Sequence, residues 1–221
     1  MTAVQSHPTG PARHEVTRGV WLDARLAVWL ADLKILVVAD LHWGYAASHR
    51  VQGNLFPAWG DADIALRLGT LIRDYQPNEM IWLGDSLHAL TGPQAANEFL
   101  RTASVPVTIV SGNHDAKWVR AKDHTSLQRT GFFLHHGDRQ HNVPDEALEI
   151  VGHYHPAVAW QDGAGTRLKV PALISSKRRL VLPAFSPWAG GVPWKMGNPD
   201  ETVHAITVKR IFTVPHVRAH I

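Results

Sequence analysis

The segment KILVVADLH at residues 34–42 contains a continuous apolar run, and two ionisable side chains, Asp40 and His42, follow that run. A run of Ile, Leu and Val without alternating polar residues is typical of a strand that is buried on both faces of a sheet. Two later apolar runs, at residues 79–83 and 105–110, also predict buried strands. The polar residues that follow these two runs are Gly84-Asp85 and Ser111-Gly112-Asn113-His114-Asp115.

Helical patterns separate the three strands. Apolar residues recur at helical spacing in residues 61–75, Pro77 follows them, and residues 94–102 predict a second helix. This alternation of strands and helices predicts βαβ units around a largely parallel sheet. Ligands bind beyond the carboxyl ends of the strands in such sheets. The residues at those ends are Asp40, Asp85 and Asn113.

The rest of the chain is predicted to be mostly β-structure. Residues 16–22 and 25–31 predict a hairpin around Asp23-Ala24. After Gly131 the helical pattern fades, and short strand-like runs favour an antiparallel second half. Residues 183–199 are rich in Pro, Gly and Trp and predict a long ordered loop. The strand-like runs of the second half are residues 132–134, 148–151, 157–160, 167–170, 180–182, 203–208 and 212–217.

The composition excludes several classes of protein. The chain has 221 residues, which predicts a single domain at 16–221 after a flexible terminus at 1–15. It has no cysteine, which excludes disulfides, thiolate metal sites and cysteine nucleophiles. The net charge is only +3. The sequence shows neither an export signal nor a membrane-spanning run, so we expect a cytoplasmic protein without membrane contact.

Histidine is abundant, with 15 in the chain, and it is concentrated after predicted strands. His135-His136-Gly137 and Gly152-His153-Tyr154-His155 add two polar segments to the three described above. One such segment alone is most often a turn or a helix cap, but five in order point to a shared site. Seven of these side chains could hold two divalent ions roughly 3.5–4 Å apart, the geometry that phosphoryl transfer uses.

The chemistry of these side chains indicates the metal and the substrate. Among the seven candidate ligands only Asp40 and Asp85 are anionic, so two divalent ions would leave the site with a net positive charge that attracts a phosphate ester. Four imidazoles disfavour Mg²⁺ and Ca²⁺, which prefer oxygen ligands. Manganese, iron, zinc or cobalt fit the mixed nitrogen and oxygen set better, and we expect Mn²⁺.

The five motifs between Asp40 and His155 resemble, in the same order, those of the calcineurin-like metallophosphoesterases. The resemblance implies an α/β fold: a four-layer α/β/β/α sandwich of two mixed sheets, with a dinuclear metal site at the strand C-terminal ends. It implies that His114 contacts the scissile phosphate and protonates the leaving oxygen. The implied ligands of the first metal are Asp40, His42, Asp85 and His155. Those of the second metal are Asp85, Asn113, His136 and His153.

One ligand has an alternative. Either His135 or His136 could bind metal, and the resemblance favours His136 because the family's ligand directly precedes a glycine. The second motif reads Gly84-Asp85-Ser86-Leu87-His88 and lacks the aspartate and arginine that follow it in protein phosphatases. His88 is instead similar to a histidine in the nuclease of the double-strand-break repair complex. It is therefore either a candidate for handling a nucleic-acid backbone or a structural residue at a helix N-terminus.

The chain outside the metal motifs resembles the DNA-ligase-associated metallophosphoesterases, a subfamily described as DNA damage response endonucleases. These bacterial proteins are encoded beside a DNA ligase, a helicase and an exonuclease, which the resemblance implies as partners. Tyr45 departs from the pattern, because a lysine is expected there. The resembling segments are the leading hairpin and residues 40–44, 84–88, 149–156, 182–185 and 190–191.

The sequence therefore predicts a Mn²⁺-dependent phosphodiesterase that acts as a nuclease on DNA. The short spacings between motifs leave no room for a cap over the site. Lys177-Arg178-Arg179 could hold a phosphate backbone and Trp188 and Trp194 could stack on bases, or these residues form a solvated turn and packed loops. One alternative function is a phosphodiesterase or phosphatase for cyclic or other nucleotides. The other is a non-catalytic scaffold subunit of a ligase–helicase repair complex.

Overall fold

Two β-sheets make up most of the protein. The computed structural model describes residues 11–89, 93–115, 117–121, 124–161 and 167–214. Three α-helices, each longer than one turn, lie in these ranges: α1 Tyr45–Val51, α2 Gly60–Tyr75 and α3 Pro93–Thr102. The strands are β1 Arg13–Thr17, β2 Val20–Asp23, β3 Ala27–Leu30, β4 Ile35–Val38, β5 Glu79–Leu83, β6 Val107–Val110, β7 Ser126–Arg129, β8 Phe132–His135, β9 Leu148–Val151, β10 Pro156–Gln161, β11 Arg167–Ser175, β12 Arg179–Val181, β13 Val192–Pro193, β14 Thr202–Ile206 and β15 Ile211–Val214.

The first sheet has the strand order β1-β2-β3-β4-β5-β6. The first four strands pair antiparallel, and β4, β5 and β6 pair parallel, as the βαβ pattern predicts. Side chains of β4 alternate between two cores because successive residues of a strand point to opposite faces. Ile35 and Val37 pack toward the second sheet, whereas Leu36 and Val38 pack toward the helices. This double burial explains the continuous apolar run.

The second sheet runs in the order β13-β10-β11-β12-β9-β8-β7, and β14 pairs with β11 and β15. The prediction of an antiparallel second half is wrong for its centre, because β8, β9 and β12 are parallel neighbours. Parallel neighbours end at the same edge of the sheet, so residues that follow β8 and β9 emerge together. Short strands with long connections carry no sequence signal for direction, which explains the error.

The two sheets pack face to face. Apolar side chains of the first sheet meet those of β7, β8, β9, β11, β12 and β14 in one core, and α2 and α3 cover the opposite face of the first sheet. The outer face of the second sheet packs against Trp194 and Met196. The α/β sandwich of two mixed sheets is thus confirmed. Among the described residues, none of the helices is both long and apolar enough to span a bilayer.

The structure also corrects several element boundaries. The strand predicted at residues 16–22 is divided between β1 and β2, which pair with each other around Gly19. Residues 13–15 lie in β1, although they fall within the predicted flexible terminus, and residues 1–10 lie outside the described residues. Helix α1 and strand β7 were not predicted. Both are short and partly exposed, so their hydrophobic pattern is weak.

Candidate metal centre

The polar segments that follow β4, β5, β6, β8 and β9 meet at one edge of the sandwich. The backbone N–H of Asp40 donates to the carbonyl oxygen of Gly84 at 3.1 Å, which continues the pairing of β4 and β5. The N–H of Gly152 donates to the carbonyl oxygen of His136 at 2.9 Å and joins the ends of β8 and β9. The N–H of His153 donates to the Asp40 carboxylate oxygens at 3.0 and 3.2 Å. This last contact links the two sheets.

One group of side chains that could hold a metal consists of Asp40, His42 and His155, whose ligand atoms all lie within 4.8 Å of one another. Asp40 Oδ1 is 3.2 Å from His155 Nε2, and the Nε2 atoms of His42 and His155 are 3.4 Å apart. Asp40 and His42 are buried, and His155 is half-buried. A carboxylate oxygen and two imidazole nitrogens therefore converge, as they do around transition-metal ions.

A second such group consists of Asp85, His136 and His153. His136 Nδ1 lies 3.2 Å from the Leu83 carbonyl oxygen, which can only accept, so Nδ1 carries the hydrogen in this contact. The other ring nitrogen, Nε2, is 3.3 Å from Asp85 Oδ1, 3.3 Å from Asn113 Oδ1 and 3.2 Å from His153 Nδ1. Several acceptors converge on this nitrogen, and a bound cation would satisfy them together.

The pKa values of residues in the two ligand groups reflect negative charge that is concentrated around Asp40 and Asp85. Burial alone would lower the pKa of His136, but its hydrogen bond to Asp85 and the charges of Asp40 and Asp85 raise it to about 9. Burial also opposes ionisation of Asp85, yet the contacts with His136 and the His114 backbone lower its pKa to about 2. Burial lowers the pKa of His42 to about 4. The site around Asp85 therefore stabilises a positive charge.

The backbone is strained at the same residues. Eight non-glycine residues in the described ranges have a positive φ, and five of them are predicted ligands. Such a conformation costs on the order of 1–3 kcal/mol for each residue and persists only where the surrounding structure imposes it. The five are Asp40 at 55°, His42 at 51°, Asp85 at 45°, His153 at 69° and His155 at 45°.

His114 lies at the exposed edge of the centre. Its backbone N–H donates to Asp85 Oδ1 at 3.0 Å, and its Nδ1 lies 3.1 Å from the carbonyl oxygen of His88. Because that carbonyl can only accept, Nδ1–H donates to it. Nε2 of His114 is left facing the site, 3.9 Å from Asp85 Oδ2. This nitrogen can carry a proton to or from a group at the metal centre.

The sequence of this chain matches the family model for calcineurin-like phosphoesterases over residues 33–205, which includes all the residues described above. The match covers more than half of the chain. The chain belongs to this family. Members of the family use a dinuclear divalent metal centre to hydrolyse phosphoric esters, and the two groups of ligand atoms fit that chemistry.

Comparison with solved structures gives the same fold for this phosphoesterase. It is similar to Pseudomonas putida nuclease MPE, with a TM-score of 0.69, 24% sequence identity, and coverage of 93% of this chain and 99% of that chain. Yfce, a phosphoesterase from E. coli, matches with a TM-score of 0.45 and 18% identity over 81% of this chain and 97% of that chain. None of the curated proteins matches the sequence.

The structure separates the two candidate ligands at residues 135 and 136. The His136 ring lies among the ligand atoms, whereas the His135 ring points to the other side of β8, where its Nε2–H donates to Glu149 Oε1 at 2.7 Å. Adjacent residues at a strand end face opposite sides, so only one of them can enter the centre. The position of His136 agrees with the choice that the resemblance favoured.

His88 lies beside the centre, but its contacts to the site differ from those of a ligand. Its carbonyl oxygen orients His114, and its ring stacks on the His114 ring at 5.5 Å with an interplanar angle of 21°. Its Nδ1 is buried without a hydrogen-bond partner among the described residues. Burial and the neighbouring His114 and His49 lower the pKa of His88. A neutral His88 ring therefore packs against His114.

The basic triplet makes its polar contacts outside the two ligand groups. Arg179 begins β12, which runs parallel to β9, so the triplet lies at the opposite end of these strands from His153. Arg178 donates to the carbonyl oxygens of Pro144 and Asp145, and Arg179 forms an ion pair with Glu149. The structure thus favours a solvated turn over a phosphate-binding site for these residues.

The two tryptophans of the long loop have different surroundings. The Nε1–H of Trp194 donates to Glu201 at 3.1 Å, and its ring packs against the second sheet. Trp194 thus belongs to a packed loop. Trp188 packs instead against Tyr45, Phe56 and Trp59, on the side of the centre where His88 lies.

Asp115 is a buried carboxylate whose role was not predicted. It accepts the backbone N–H groups of Ser86, Leu87 and Gly112 at 2.9–3.1 Å. These bonds join the segment after β5 to the segment after β6, and so place Asp85 beside His114. Its position in Gly112-Asn113-His114-Asp115 was visible in the sequence, but the three donors come together only in the folded chain.

We expect Asp115→Ala to lower the free energy of unfolding by roughly 3 kcal/mol or more, because hydrogen bonds to a charged acceptor contribute about 1.5–3 kcal/mol each. Urea unfolding monitored by circular dichroism measures this. Glu98→Ala, which removes an exposed ion pair with Arg101 in α3, is the control and should cost no more than about 1 kcal/mol. Equal losses in the two variants would contradict the assigned role of Asp115.

Proposed function

We propose that this protein hydrolyses phosphodiester bonds in nucleic acid by means of two divalent metal ions, with Mn²⁺ as the native metal. Asp40, His42, Asp85 and His155 would hold the first ion, and Asp85, Asn113, His136 and His153 would hold the second. Asp85 would thus be shared by the two. The observation that carries the proposal is the pair of adjacent ligand groups with His114 at their exposed edge.

Divalent ions in this arrangement supply charge stabilisation for the phosphate oxygens and lower the pKa of water. The protein's own residues do the rest. A water oxygen forms the new bond to phosphorus and releases a proton to solvent, while the bond between phosphorus and the leaving oxygen breaks and His114 donates a proton from Nε2 to that oxygen. The His88 carbonyl holds Nδ1 of His114, so the other nitrogen faces the leaving group. His88 acts through its backbone as a positioning residue.

Nucleic acid is the substrate that the open site accommodates. Asn113 and His114 are exposed and His153 and His155 are half-buried, so a phosphodiester with long substituents on both sides can reach the centre. The described residues between His114 and His136 include only a short 3-10 turn, β7 and β8 as regular elements. The similar fold of Pseudomonas putida nuclease MPE supports this substrate class.

The proposal includes the cellular setting that the resemblance implies. The protein works as a single domain in the cytoplasm and takes part in DNA repair beside a DNA ligase, a helicase and an exonuclease. Co-purification with those three enzymes tests the partners.

The substrate class is tested with the wild-type protein and Mn²⁺. We expect it to hydrolyse bis(p-nitrophenyl) phosphate and to cleave DNA, with DNA binding that weakens as salt rises by a slope of about one for each phosphate contact. Cyclic nucleotides are the comparison. Hydrolysis of cyclic nucleotides and the chromogenic ester without any cleavage of DNA would favour the small-molecule phosphodiesterase. Binding of DNA without hydrolysis of any ester would favour the scaffold.

Asp85→Asn should lose at least one metal ion and most activity, because the neutral amide cannot bridge two cations. Elemental analysis after loading with Mn²⁺ and removal of free metal measures the ion content. Glu79→Gln is the matched control, since Glu79 lies at the opposite end of β5 and pairs with Arg129. Two tightly held ions in Asp85→Asn would refute the bridging role.

His114→Ala should keep its metal ions and lose roughly 10²- to 10⁴-fold in kcat, the usual contribution of a general acid. The loss should be smaller for p-nitrophenolate, which leaves without a proton, than for an alkoxide leaving group. Rates for a series of leaving groups measure the difference, and His124→Ala, an exposed histidine outside the centre, serves as the control. A uniform loss would assign His114 to phosphate binding.

A further inference from the structure

A row of rings leads from the candidate metal centre toward an exposed tryptophan. The His42 and His88 ring centroids are 5.7 Å apart, and those of His88 and Tyr45 are 4.4 Å apart. The Tyr45 ring is parallel to the Trp188 ring within 15° at 6.2 Å. Trp188 contacts Trp59 at 4.7 Å. We call these five residues the aromatic row, and four successive ring contacts connect its ends.

Phe56 and Gly60 pack against the aromatic row and fix its position. Phe56 contacts the rings of Tyr45 and Trp188 at 5.5 and 5.4 Å. The Trp188 ring lies directly against Gly60 at the start of α2, where an added Cβ would be 2.0 Å from Trp188 Nε1. A larger residue at position 60 would displace the indole. The position of Trp188 is thus fixed by backbone contact as well as by its aromatic neighbours.

The outer end of the aromatic row is apolar and accessible. The side chain of Trp59 is 51% exposed, and Leu55 in the same connection between α1 and α2 is fully exposed. Beside them is a depression of about 670 Å³, lined by residues that include Arg50, Leu55 and Phe56. Large apolar groups that cluster at the surface next to a functional site mark a binding surface.

Aromatic rings predominate on this side of the centre. Tyr45 occupies the position where the resemblance predicts a lysine. The hydrogen bonds and ion pairs of Arg178 and Arg179 go to Pro144, Asp145 and Glu149 rather than to the centre. Rings line the path from His42 to Trp59, and Arg50 lies in the depression beside its outer end. Aromatic faces bind any nucleobase, because every base has a π-face.

We propose that the aromatic row is a nucleobase-binding subsite, in which an unpaired base of the substrate strand stacks on Trp59 while the scissile phosphate lies at the metal centre. The inference rests on the proposed function and adds a specificity-determining residue to it. The base must be unpaired, because a base in a duplex already stacks on its neighbours and does not present its face.

The test compares Trp59→Ala with Trp160→Ala, a matched control. Trp160 is 58% exposed but lies on β10 of the second sheet. Each protein is given a single-stranded oligonucleotide and the same oligonucleotide with abasic positions on both sides of the cleavage site. We expect the wild type and Trp160→Ala to cleave the intact strand with a kcat/KM about tenfold higher than the abasic strand. Trp59→Ala should cleave both strands at similar rates.

Binding provides a second readout that needs no metal. Fluorescence anisotropy of a labelled oligonucleotide in EDTA should give a Kd about tenfold weaker for Trp59→Ala than for Trp160→Ala. Trp59→Phe should recover most of the affinity, because a phenyl ring still stacks. A Trp59→Ala variant that keeps the wild-type preference for intact strands and the wild-type Kd would overturn the subsite and favour a docking surface for a protein.

Hydrolysis of the chromogenic diester separates failure of the nucleobase subsite from failure of the proposed function. If the wild type hydrolyses bis(p-nitrophenyl) phosphate and DNA but cleaves intact and abasic strands equally, the nucleobase subsite is refuted and the proposed function stands. If the wild type hydrolyses neither the diester nor DNA with Mn²⁺ supplied, the proposed function fails and the subsite fails with it.

Discussion

The architecture depends on the close approach of the two sheets at Asp40 and Gly152. The Asp40 carboxylate accepts the N–H of His153 from the other sheet, and the Cβ of any larger residue at position 152 would lie 2.8 Å from both Ala39 Cβ and Asp40 Oδ2. Only glycine permits this distance. Because the sheets meet here, side chains from the ends of five strands enter one small volume, and two groups of ligand atoms form.

The close approach of the two sheets also brings charged side chains together. Two carboxylates with little access to water lie among imidazoles, and their field raises the pKa of His136 to about 9 although burial acts in the opposite direction. The backbone conformations at five predicted ligands are costly and are maintained by the surrounding hydrogen bonds, including the three that Asp115 accepts. Folding energy is thus used to bring together groups that a bound cation would stabilise.

Around the candidate metal centre, the loops determine which side chains lie at the surface. The strand ends fix the chemistry, whereas the connection between α1 and α2 and the segment after β12 supply Trp59 and Trp188. Basic residues that are conspicuous in the sequence, such as Arg179, form ion pairs with acidic neighbours instead of entering the centre. The ring contacts in the structure therefore describe the surface near the centre better than the number of basic residues in the sequence does.

The sequence by itself determined β3 to β6, α2 and α3, and the order of the polar segments, because double burial and helical periodicity leave strong patterns at residues 34–39 and 61–75. It also offered the candidate ligands at the strand ends, with His135 and His136 as alternatives that only the family resemblance separated. Only the tertiary structure decided the parallel centre of the second sheet, the side of β8 that His136 occupies, the hydrogen bonds of Asp115 and the ring contact of Trp59. Those features depend on contacts between residues far apart in the chain, and a local pattern cannot contain them.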